Sequence, residues 1–567
     1  MQHASSVNAH NGLSRATWLV LLLAIPTALP LLTIGWLGLS ADVSGWPKLI
    51  STVLPRLAWT TFLLCAGCAV LTVIIGTLMA WLVTMYNFPA RPLLKWMALL
   101  PLAMPGYIIS FAYVDFLAFS GPLQTGLRGL ANWQRPEDYM FPEIRSLGGA
   151  ILVMSFALYP YVYMSARASF LKQPMNQLHV ARTLGRNPWA AFLSITLPQA
   201  RPALAIGVLL VLMECLNDIG AMSFFGVRTV TLAIYSVWLD QDNLGGAAQL
   251  ALVLLSAIVA LILFEQMARN RDALSKAART GGLLARQRLH GAKKWLAVLA
   301  MFVPVLFGFL LPVALLVGHA WRRLDHFWSA TFISAVGNSM LLAATACFFT
   351  VLIALVMAYA NRQSGAAWLK NLTRISSLGY ALPGTVLGIG VLVPFGQFDQ
   401  FVNRISSDLV GYVPGLILSG GLFAVVFAYV SRFLIIAVST VEIGMDKIPE
   451  NLDHVSRTLG RSPLRSFRDI HLPLLRPSMF AAALLVFVDA MKELPATLIL
   501  RPFDFDTLAT QVFTLASLGQ LEESSIPALS IVLAGLLPVI ILARNMRDPA
   551  RGRGPSQGLE SAASATA

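Results

Sequence analysis

Residues 179–202 read HVARTLGRNPWAAFLSITLPQARP, and residues 454–477 read HVSRTLGRSPLRSFRDIHLPLLRP. Fourteen of these 24 positions are identical without a gap, where unrelated sequences of ordinary composition share roughly one or two. Weaker echoes flank the pair: Pro105-Gly106 matches Pro383-Gly384, and Thr231-Leu-Ala matches Thr507-Leu-Ala. A repeat of this extent indicates that one structural unit is written twice along the chain.

The repeated unit is built from apolar blocks of membrane-spanning length. Of the 567 residues, 57% are hydrophobic and 12% are charged, about half the charged fraction of an average soluble domain. Twelve blocks of roughly 20 residues can each cross a hydrocarbon core of about 30 Å as a helix, with edges placed to about four residues. They lie near residues 17–38, 58–84, 93–118, 148–166, 203–223, 248–264, 296–320, 337–359, 376–396, 413–436, 478–499 and 526–543.

These blocks predict an all-α membrane protein. Lipid cannot satisfy unpaired backbone groups, and the strands of a closed barrel would alternate over about ten residues rather than run unbroken. Six crossings return the chain to the side on which it began, so the two halves share one orientation and relate by an axis along the membrane normal. We therefore expect about 12 transmembrane helices in two parallel six-helix modules, with a central pathway between them.

The basic residues predict the orientation and the domain boundaries. With the N-terminus inside, 30 of the 41 Lys and Arg lie on the cytoplasmic side and 10 outside, while Lys492 lies within a helix. This excess places both termini in the cytoplasm, and it assigns the basic charge to the lipid surface rather than to nucleic acid. The expected segments are a first module (1–271), a basic cytoplasmic linker (272–294), a second module (295–545) and a disordered cytoplasmic tail (546–567).

Both copies of the strong repeat lie in predicted cytoplasmic loops, between the fourth and fifth helices of their module. Pro188 and Pro463 interrupt the loops, and Pro198 and Pro473 come shortly before the next membrane helix. Each loop is therefore expected to form a short helix across the membrane surface, where it can meet a partner.

In each loop a Gly is followed ten residues later by Ile-x-Leu-Pro, and this pattern resembles the EAA signature of binding-protein-dependent ABC import permeases. In that family the loop forms a coupling helix that docks into a groove on the ATPase. The resemblance implies docking roles for His179, Ala181, Gly185, Ile195, Leu197, Pro198, His454, Ser456, Gly460, Ile470, Leu472 and Pro473. The chain departs from the family because His179 and His454 replace the opening Glu, and Ser456 replaces an Ala.

The chain contains no GxxxxGK[ST] phosphate-binding loop, so a separate polypeptide must hydrolyse ATP. We expect no catalytic residue and no cofactor in this chain, with ATP and Mg²⁺ held by an ABC ATPase present in two copies. The resemblance further implies a periplasmic substrate-binding protein as partner and the bacterial inner membrane as location.

Four carboxylates interrupt apolar helices at equivalent positions of the repeat. Glu214 and Asp218 lie in the predicted fifth helix, and Asp489 and Glu493 lie 275 residues later in the eleventh. The i, i+4 spacing puts each pair on one helix face, and buried charge usually faces a cavity or a partner because its insertion is costly. The four side chains predict either a translocation pathway or structural ion pairs with Lys492, Arg228 or Arg501.

A carboxylate-lined pathway suits a hard cation such as ferric iron and repels sulfate or phosphate. Independently, LNDIGAMSFFGVRT at residues 216–229 and MKELPATLILRPFDFDTLA at residues 491–509 resemble segments of fused ferric-iron permeases, which take iron from a periplasmic binding protein. The resemblance implies iron as substrate, with the iron ligands on the binding protein and no metal-site residue in this chain. Fused permeases for thiamine and 2-aminoethylphosphonate share the architecture, and polyamine permeases share the module.

Two other classes of membrane protein are alternatives. A major-facilitator transporter also has six plus six helices in parallel repeats, but its GxxxDRxGRR-like loop would stand where residues 86–95 read YNFPARPLLK. A channel would leave the doubled docking loop without a purpose.

Overall fold

The computed structural model describes residues 15–40, 49–133, 135, 138–173, 185, 187–273, 286–364, 366–376 and 378–545. Within these residues, 12 helices are long and apolar enough to cross a membrane. The predicted all-α membrane fold and its number of spans are therefore confirmed. The predicted tail and residues 274–285 of the predicted linker lie outside the described residues.

The first half of the chain contains ten helices and one short strand among the described residues. In chain order they are α1 (Arg15–Ser40), α2 (Leu54–Met85), β1 (Tyr86–Asn87), α3 (Arg91–Met97), α4 (Gly106–Leu117), α5 (Pro122–Ala131), α6 (Leu147–Lys172), α7 (Trp189–Asn217), α8 (Ile219–Phe225), α9 (Val230–Leu239) and α10 (Leu244–Ala273).

The second half repeats the order of the membrane-spanning helices. Its elements are β2 (Gln287–Arg288), α11 (Ala292–Arg322), α12 (Ala330–Ser364), α13 (Ala367–Ser376), α14 (Gly384–Val410), α15 (Leu422–Met445), α16 (Asn451–Thr458), α17 (Pro463–Met491), α18 (Pro495–Leu500), α19 (Leu508–Ser517) and α20 (Leu521–Asn545). Strand β2 pairs in parallel with β1, which ties the start of the second half to the first.

Matching side-chain contacts show that the sequence repeat is also a structural repeat. In the first half the rings of Trp81 and Phe192 lie 4.6 Å apart at 49°. In the second half the rings of Tyr359 and Phe467, at the equivalent positions, also lie 4.6 Å apart at 49°. The same contact thus packs α2 against the start of α7 and α12 against the start of α17.

The first helix of each half packs against the other half. Helix α1 contacts α12, α13 and α14, and an added Cβ on Gly390 would lie 2.6 Å from the Pro30 carbonyl oxygen. Helix α11 lies against α4 and α6, where the Tyr113 hydroxyl donates a 2.6 Å hydrogen bond to the Phe307 carbonyl. The two halves are therefore interlocked rather than placed side by side.

Two pairs of helices differ from the sequence-based expectation. Helices α4 and α14 begin at Gly106 and Gly384, later than the predicted 93 and 376. The preceding Pro105 and Pro383 have no N–H to donate and hold an extended backbone, with ψ angles of 148° and 141°. These prolines separate the short helices α3 and α13 from the membrane helices.

The predicted fifth and eleventh helices are interrupted. Helix α7 ends at Asn217 and α17 ends at Met491, and in each case a short helix follows after a break. Helices α8 and α9 then meet at an angle of 91°. Broken helices within a membrane protein are tolerated where the freed backbone faces protein or a cavity rather than lipid.

The two prolines of each loop act in different ways. Pro188 and Pro463 stand at the first turn of a helix, where a missing N–H costs nothing, and in the second loop the short helix α16 ends before Pro463, as predicted. Pro198 and Pro473 lie inside the resulting continuous helices, directly after wide turns at Phe192–Thr196 and Phe467–His471. These wide turns accommodate the prolines within the helix.

Candidate functional site

A cavity of about 320 Å³ lies between the two halves, where the broken helices meet. All four carboxylates predicted from the repeat line it, although they come from two separate helices of the chain. The other polar residues of its wall are Tyr107, Tyr161, Asn217, Tyr380, Arg432 and Lys492. The structure therefore brings the predicted carboxylates together at one place.

Two of the carboxylates stand at the helix breaks. Asp218 Oδ1 accepts a 2.8 Å hydrogen bond from the Ala221 amide and thereby caps α8. Glu493 Oε1 accepts a 3.2 Å hydrogen bond from the Ala496 amide at the start of α18. Each carboxylate satisfies a backbone N–H that the break leaves without a helical partner.

The repeated Pro-Gly pairs make room for these carboxylates. An added Cβ on Gly106 would lie 2.1 Å from Asp218 Oδ2, and one on Gly384 would lie 2.7 Å from Glu493 Oε1. Any larger residue would therefore displace the carboxylate from the cavity wall. The sequence repeat preserves glycine here because of this close approach.

The second-half carboxylates are paired with cations. Lys492 Nζ lies 2.8 Å from Asp489 Oδ1, so this ion pair, expected as one alternative from the sequence, is present. Arg432 Nε lies 3.3 Å from Glu493 Oε2, with both side chains 6% exposed. Arg501, a second expected partner, instead pairs with Asp506.

The first-half carboxylates have neutral partners. In the first half, Asn217 stands at the position equivalent to Lys492, and Ala157 stands at the position equivalent to Arg432. Glu214 accepts a 3.4 Å hydrogen bond from the Tyr161 hydroxyl, and no cation lies within 4.0 Å of Glu214 or Asp218 in the described part of the chain.

Asn217 reaches across the interface between the halves. Its Oδ1 accepts a 2.9 Å hydrogen bond from the Gly384 amide at the start of α14. A lysine at this position could not accept that bond, because an ammonium group has only donors. The two breaks therefore differ in their partners: four carboxylates and two cations line the cavity, and both cations are in direct contact with carboxylates of the second half.

The carboxylates are spread around the cavity rather than gathered at one point. Among the described residues, no group of three or more His, Cys, Asp and Glu lies close enough to hold a metal ion. In this conformation the cavity can attract a cation through its field, and it offers no multidentate coordination site.

The docking loops are described in full for the second half and in part for the first. Gly460 has a φ of +71° and Gly185 a φ of +77°, and an added Cβ at either position would meet no atom of the described residues within 4 Å. Glycine is required here by the left-handed backbone and not by lack of space. The expected short helix is present in the second loop as α16.

The other predicted docking residues have varied exposure. His454, Gly460 and Pro473 are exposed and Ile470 and Leu472 are half-buried, but Ser456 is 2% exposed and faces the protein. In the first copy Gly185 is exposed and Ile195, Leu197 and Pro198 are half-buried, while His179 and Ala181 lie outside the described residues.

The exposed side of the second loop has a chemistry that the motif does not indicate. Val455, Leu459 and Leu464 are between 53% and 76% exposed. Arg457 and Arg465 stand beside them and are also exposed. The surface offered to a partner is therefore apolar at its centre and basic at its rim.

Sequence reasoning did not single out Arg432, although a signal for it was available. It is a charged residue inside the predicted tenth apolar block, and its cost of insertion is the same argument that identified the four carboxylates. Tyr161 and Asn217 gave no comparable signal, because uncharged polar residues occur throughout membrane helices.

Comparison with known proteins identifies the repeat unit. Residues 72–271 and 350–547 each match the family described as "Binding-protein-dependent transport system inner membrane component". The two matches cover well over half of the chain, one in each half. Each match extends from the second helix of its half to the last.

Individual relatives differ in the part of the chain that they share. The Fe(3+)-transport system permease protein FbpB 2 of Haemophilus influenzae is 25% identical over 93% of this chain and 97% of its own length. The sulfate transport system permease protein CysW of Escherichia coli is 30% identical over 36% of this chain and 69% of its own length. A putative 2-aminoethylphosphonate transport system permease protein of Salmonella typhimurium is 30% identical over 39% of this chain and 77% of its own.

Proposed function

Because the chain belongs to the family of binding-protein-dependent transport system inner membrane components, we propose that the substrate it carries across the membrane is ferric iron. The permease role itself follows from the family: the chain is a multi-pass inner-membrane subunit of an ABC-type importer, and it is a transport component rather than an ATPase. The proposal concerns what passes through the cavity and which partners drive it.

The charge balance of the cavity is the observation that carries the proposal. Lys492 and Arg432 are in direct contact with the second-half carboxylates and interact with Glu214 only from farther away, so the wall holds more carboxylates than cations. At an effective dielectric constant near 20, two like charges 4 Å apart repel by about 4 kcal/mol. Such a wall favours a hard cation over sulfate or a phosphonate.

The extent of the likeness supports the same substrate. The ferric-iron permease of Haemophilus influenzae aligns with both halves of this chain, whereas the sulfate and phosphonate permeases align with little more than a third of it. Thiamine and the polyamines are also cations, so the field alone does not separate them from iron. A direct transport measurement with each molecule is required.

Two partners complete the proposed machine. An ABC ATPase binds Mg²⁺ and ATP and docks on the two loops around Gly185 and Gly460, one copy on each. A periplasmic binding protein delivers the iron to the opposite side. This arrangement places the docking loops, and with them both chain termini, in the cytoplasm, as the excess of basic residues on that side favours.

The test is uptake by vesicles that contain the purified permease and its ATPase, supplied with a binding protein loaded with radioactive ferric iron. We expect ATP-dependent accumulation of iron, and we expect Glu214→Gln and Asp218→Asn together to lower it about tenfold, since they remove the uncompensated charge. Asp240→Asn is the matched control, because Asp240 is an exposed carboxylate at the end of α9 that does not line the cavity.

The same vesicles are tested with thiamine, putrescine and sulfate, each with a binding protein of its own. Accumulation of one of these with iron at background would overturn the proposed substrate and leave the permease role intact. Equal iron uptake by the double variant and wild type would show that the charges of Glu214 and Asp218 do not promote iron transport.

A further inference from the structure

A buried ionic cluster connects the second docking helix to the membrane helices. Asp453 lies on α16, and its Oδ2 accepts a 2.7 Å hydrogen bond from Arg362 Nε. Its Oδ1 lies 2.9 Å from His471 Nε2, a close contact without hydrogen-bond geometry. The side chains of Arg362 and Asp453 are 13% and 20% exposed and that of His471 is fully buried, so the cluster faces the protein.

The cluster reaches three different membrane helices. Arg362 stands near the end of α12, and its guanidinium also donates to the carbonyls of Met445 at the end of α15 (2.7 Å) and of Pro449 (3.3 Å). His471 stands in α17, and its Nδ1 lies 3.2 Å from the Ser466 carbonyl. One carboxylate on a docking helix therefore holds α16 to α12 and α17 at the same time.

Helix α17 continues from this cluster to the cavity. His471 and Asp489 are 18 residues apart on one continuous helix, which corresponds to about 27 Å along its axis. A displacement of α16 that is transmitted through Asp453 to His471 would move the helix that carries Asp489, with Lys492 and Glu493 directly after its end. The charge-assisted hydrogen bond from Arg362 fixes the Asp453 carboxylate, and its close contact with the buried His471 ring leaves little room for α16 to shift without moving α17.

The first half has no equivalent ionic cluster in its sequence. The repeat has Thr84 where the second half has Arg362. It has Leu178 in place of Asp453 and Thr196 in place of His471. The start of α7 is held by aromatic rings, with Trp81 lying 4.6 Å from Phe192 and 5.9 Å from Phe170, whereas the second half has the matching ring contact and the ionic cluster together. The ionic connection is thus a property of the second docking loop.

We propose that Asp453 is a positioning residue that couples the second docking helix to the cavity: it passes the movement of the ATPase from α16 to α17. The proposal rests on the docking of an ATPase at this loop and does not depend on which substrate is carried. The exposed surface formed by Val455, Leu459 and Leu464 holds the ATPase, and the buried side of the same helix, through Asp453, transmits its motion.

The test is Asp453→Asn, which keeps the size of the side chain and removes its charge. ATP hydrolysis is measured on the same vesicles as uptake of whichever of the tested molecules the wild-type permease accumulates, together with the amount of ATPase that copurifies. We expect normal copurification and continued hydrolysis, with uptake per ATP hydrolysed reduced five- to tenfold, on the order of the loss of one charge-assisted hydrogen bond. Glu450→Gln is the control, since Glu450 is an exposed carboxylate one turn earlier.

A second variant distinguishes loss of coupling from misfolding of the permease. Arg362→Thr, Asp453→Leu and His471→Thr together install the residues of the first half, so the loop keeps a set of side chains that the repeat already uses. We expect this variant to bind the ATPase and to lose coupling. Wild-type uptake per ATP in either variant would overturn the proposal, and so would a proportional fall of hydrolysis and uptake. If wild-type permease failed to bind the ATPase at all, the proposed docking itself would be wrong.

Discussion

At the scale of single residues, the two helix breaks differ in how a carboxylate is held. Glu493 is buried beside Arg432, while Asp218 at the equivalent position has an amide as its partner. Removing one member of a buried ion pair leaves the other charge without compensation, which is more costly than losing a hydrogen bond to a neutral group. The same substitution should therefore have different effects in the two halves.

We expect Glu493→Gln to destabilise the protein by about 3 kcal/mol, because it leaves Arg432 buried without a counter-charge. Asp218→Asn should cost about 1 kcal/mol, since the cap of α8 is weakened and no cation is exposed. Thermal unfolding in detergent measures both. Adding Arg432→Met to Glu493→Gln should restore most of the loss, and equal melting temperatures for the two single variants would contradict the asymmetry.

Gly106 tests the close approach at the other break. Gly106→Ala places a Cβ 2.1 Å from Asp218 Oδ2, so the carboxylate must leave its position and we expect a loss of about 1–3 kcal/mol together with lower transport. The control is Gly126→Ala in α5, where an added Cβ meets nothing within 4 Å. That change should be neutral or stabilising by about 0.5–1 kcal/mol. Equal stability of the two variants would show that the carboxylate can move freely.

At the scale of single elements, the end of α16 fixes the shape of the docking loop. The Gly460 amide donates to the Arg457 carbonyl at 3.0 Å, and the Arg461 amide donates to the Ser456 carbonyl at 3.1 Å. Such a helix end needs a residue with positive φ after the last helical residue. The repeated glycine of the motif is explained by this geometry.

We expect Gly460→Ala to weaken retention of the ATPase, because the left-handed backbone then costs about 1 kcal/mol or more. Gly460→Asn should retain more ATPase, since asparagine tolerates this conformation. Copurification of a tagged permease with the ATPase gives the measurement. Gly318→Ala in α11 is the control, as its added Cβ also meets no atom. Identical retention by the Ala and Asn variants would exclude a role for the backbone conformation.

Much of this element-scale picture could be predicted, and what was missed has physical causes. Apolar length placed the spans, and the repeat offset placed Glu214 beside Asp489 in one cavity. The effect of proline differs from site to site. Helix α4 begins only after Pro105, whereas Pro198 lies inside α7, where a wide turn accommodates it. A proline in a sequence does not reveal which of these the neighbouring turns will permit.

At the scale of the whole molecule, the packing partner of each first helix could not be predicted. Helix α1 is apolar on every side, so no stripe of its sequence indicates that it contacts α12 and α14 of the other half as well as α10 of its own. Association of helices in lipid depends on fitting surfaces and small residues rather than on hydrophobicity. Gly390 against Pro30 is such a contact, and it becomes evident only in three dimensions.

The contacts of α1 and α11 with the opposite halves predict how the two halves behave when they are produced as separate polypeptides. If the chain is cut between residues 273 and 286 and the two parts are produced together, we expect them to associate, because α1 and α11 each hold the opposite half. Either part alone should be degraded or aggregate, since it exposes the surface that the missing helices cover. Copurification through a tag on one part tests this. Stable accumulation of one half by itself would show that the exchange of first helices contributes little.

The packing of α1 against the other half also means that some of its contacts form late in biosynthesis. Pro30 leaves the ribosome about 360 residues before Gly390, which it contacts in the finished protein, and at about 5–20 residues per second this is an interval of tens of seconds. Until α12 and α14 are made, α1 is covered only by α10 of its own half, and Trp18, Leu22 and Ile25 still face outward after assembly. A nascent chain that stalls before α14 therefore displays an α1 that is only partly covered, which gives membrane quality control a surface by which to recognise unfinished copies.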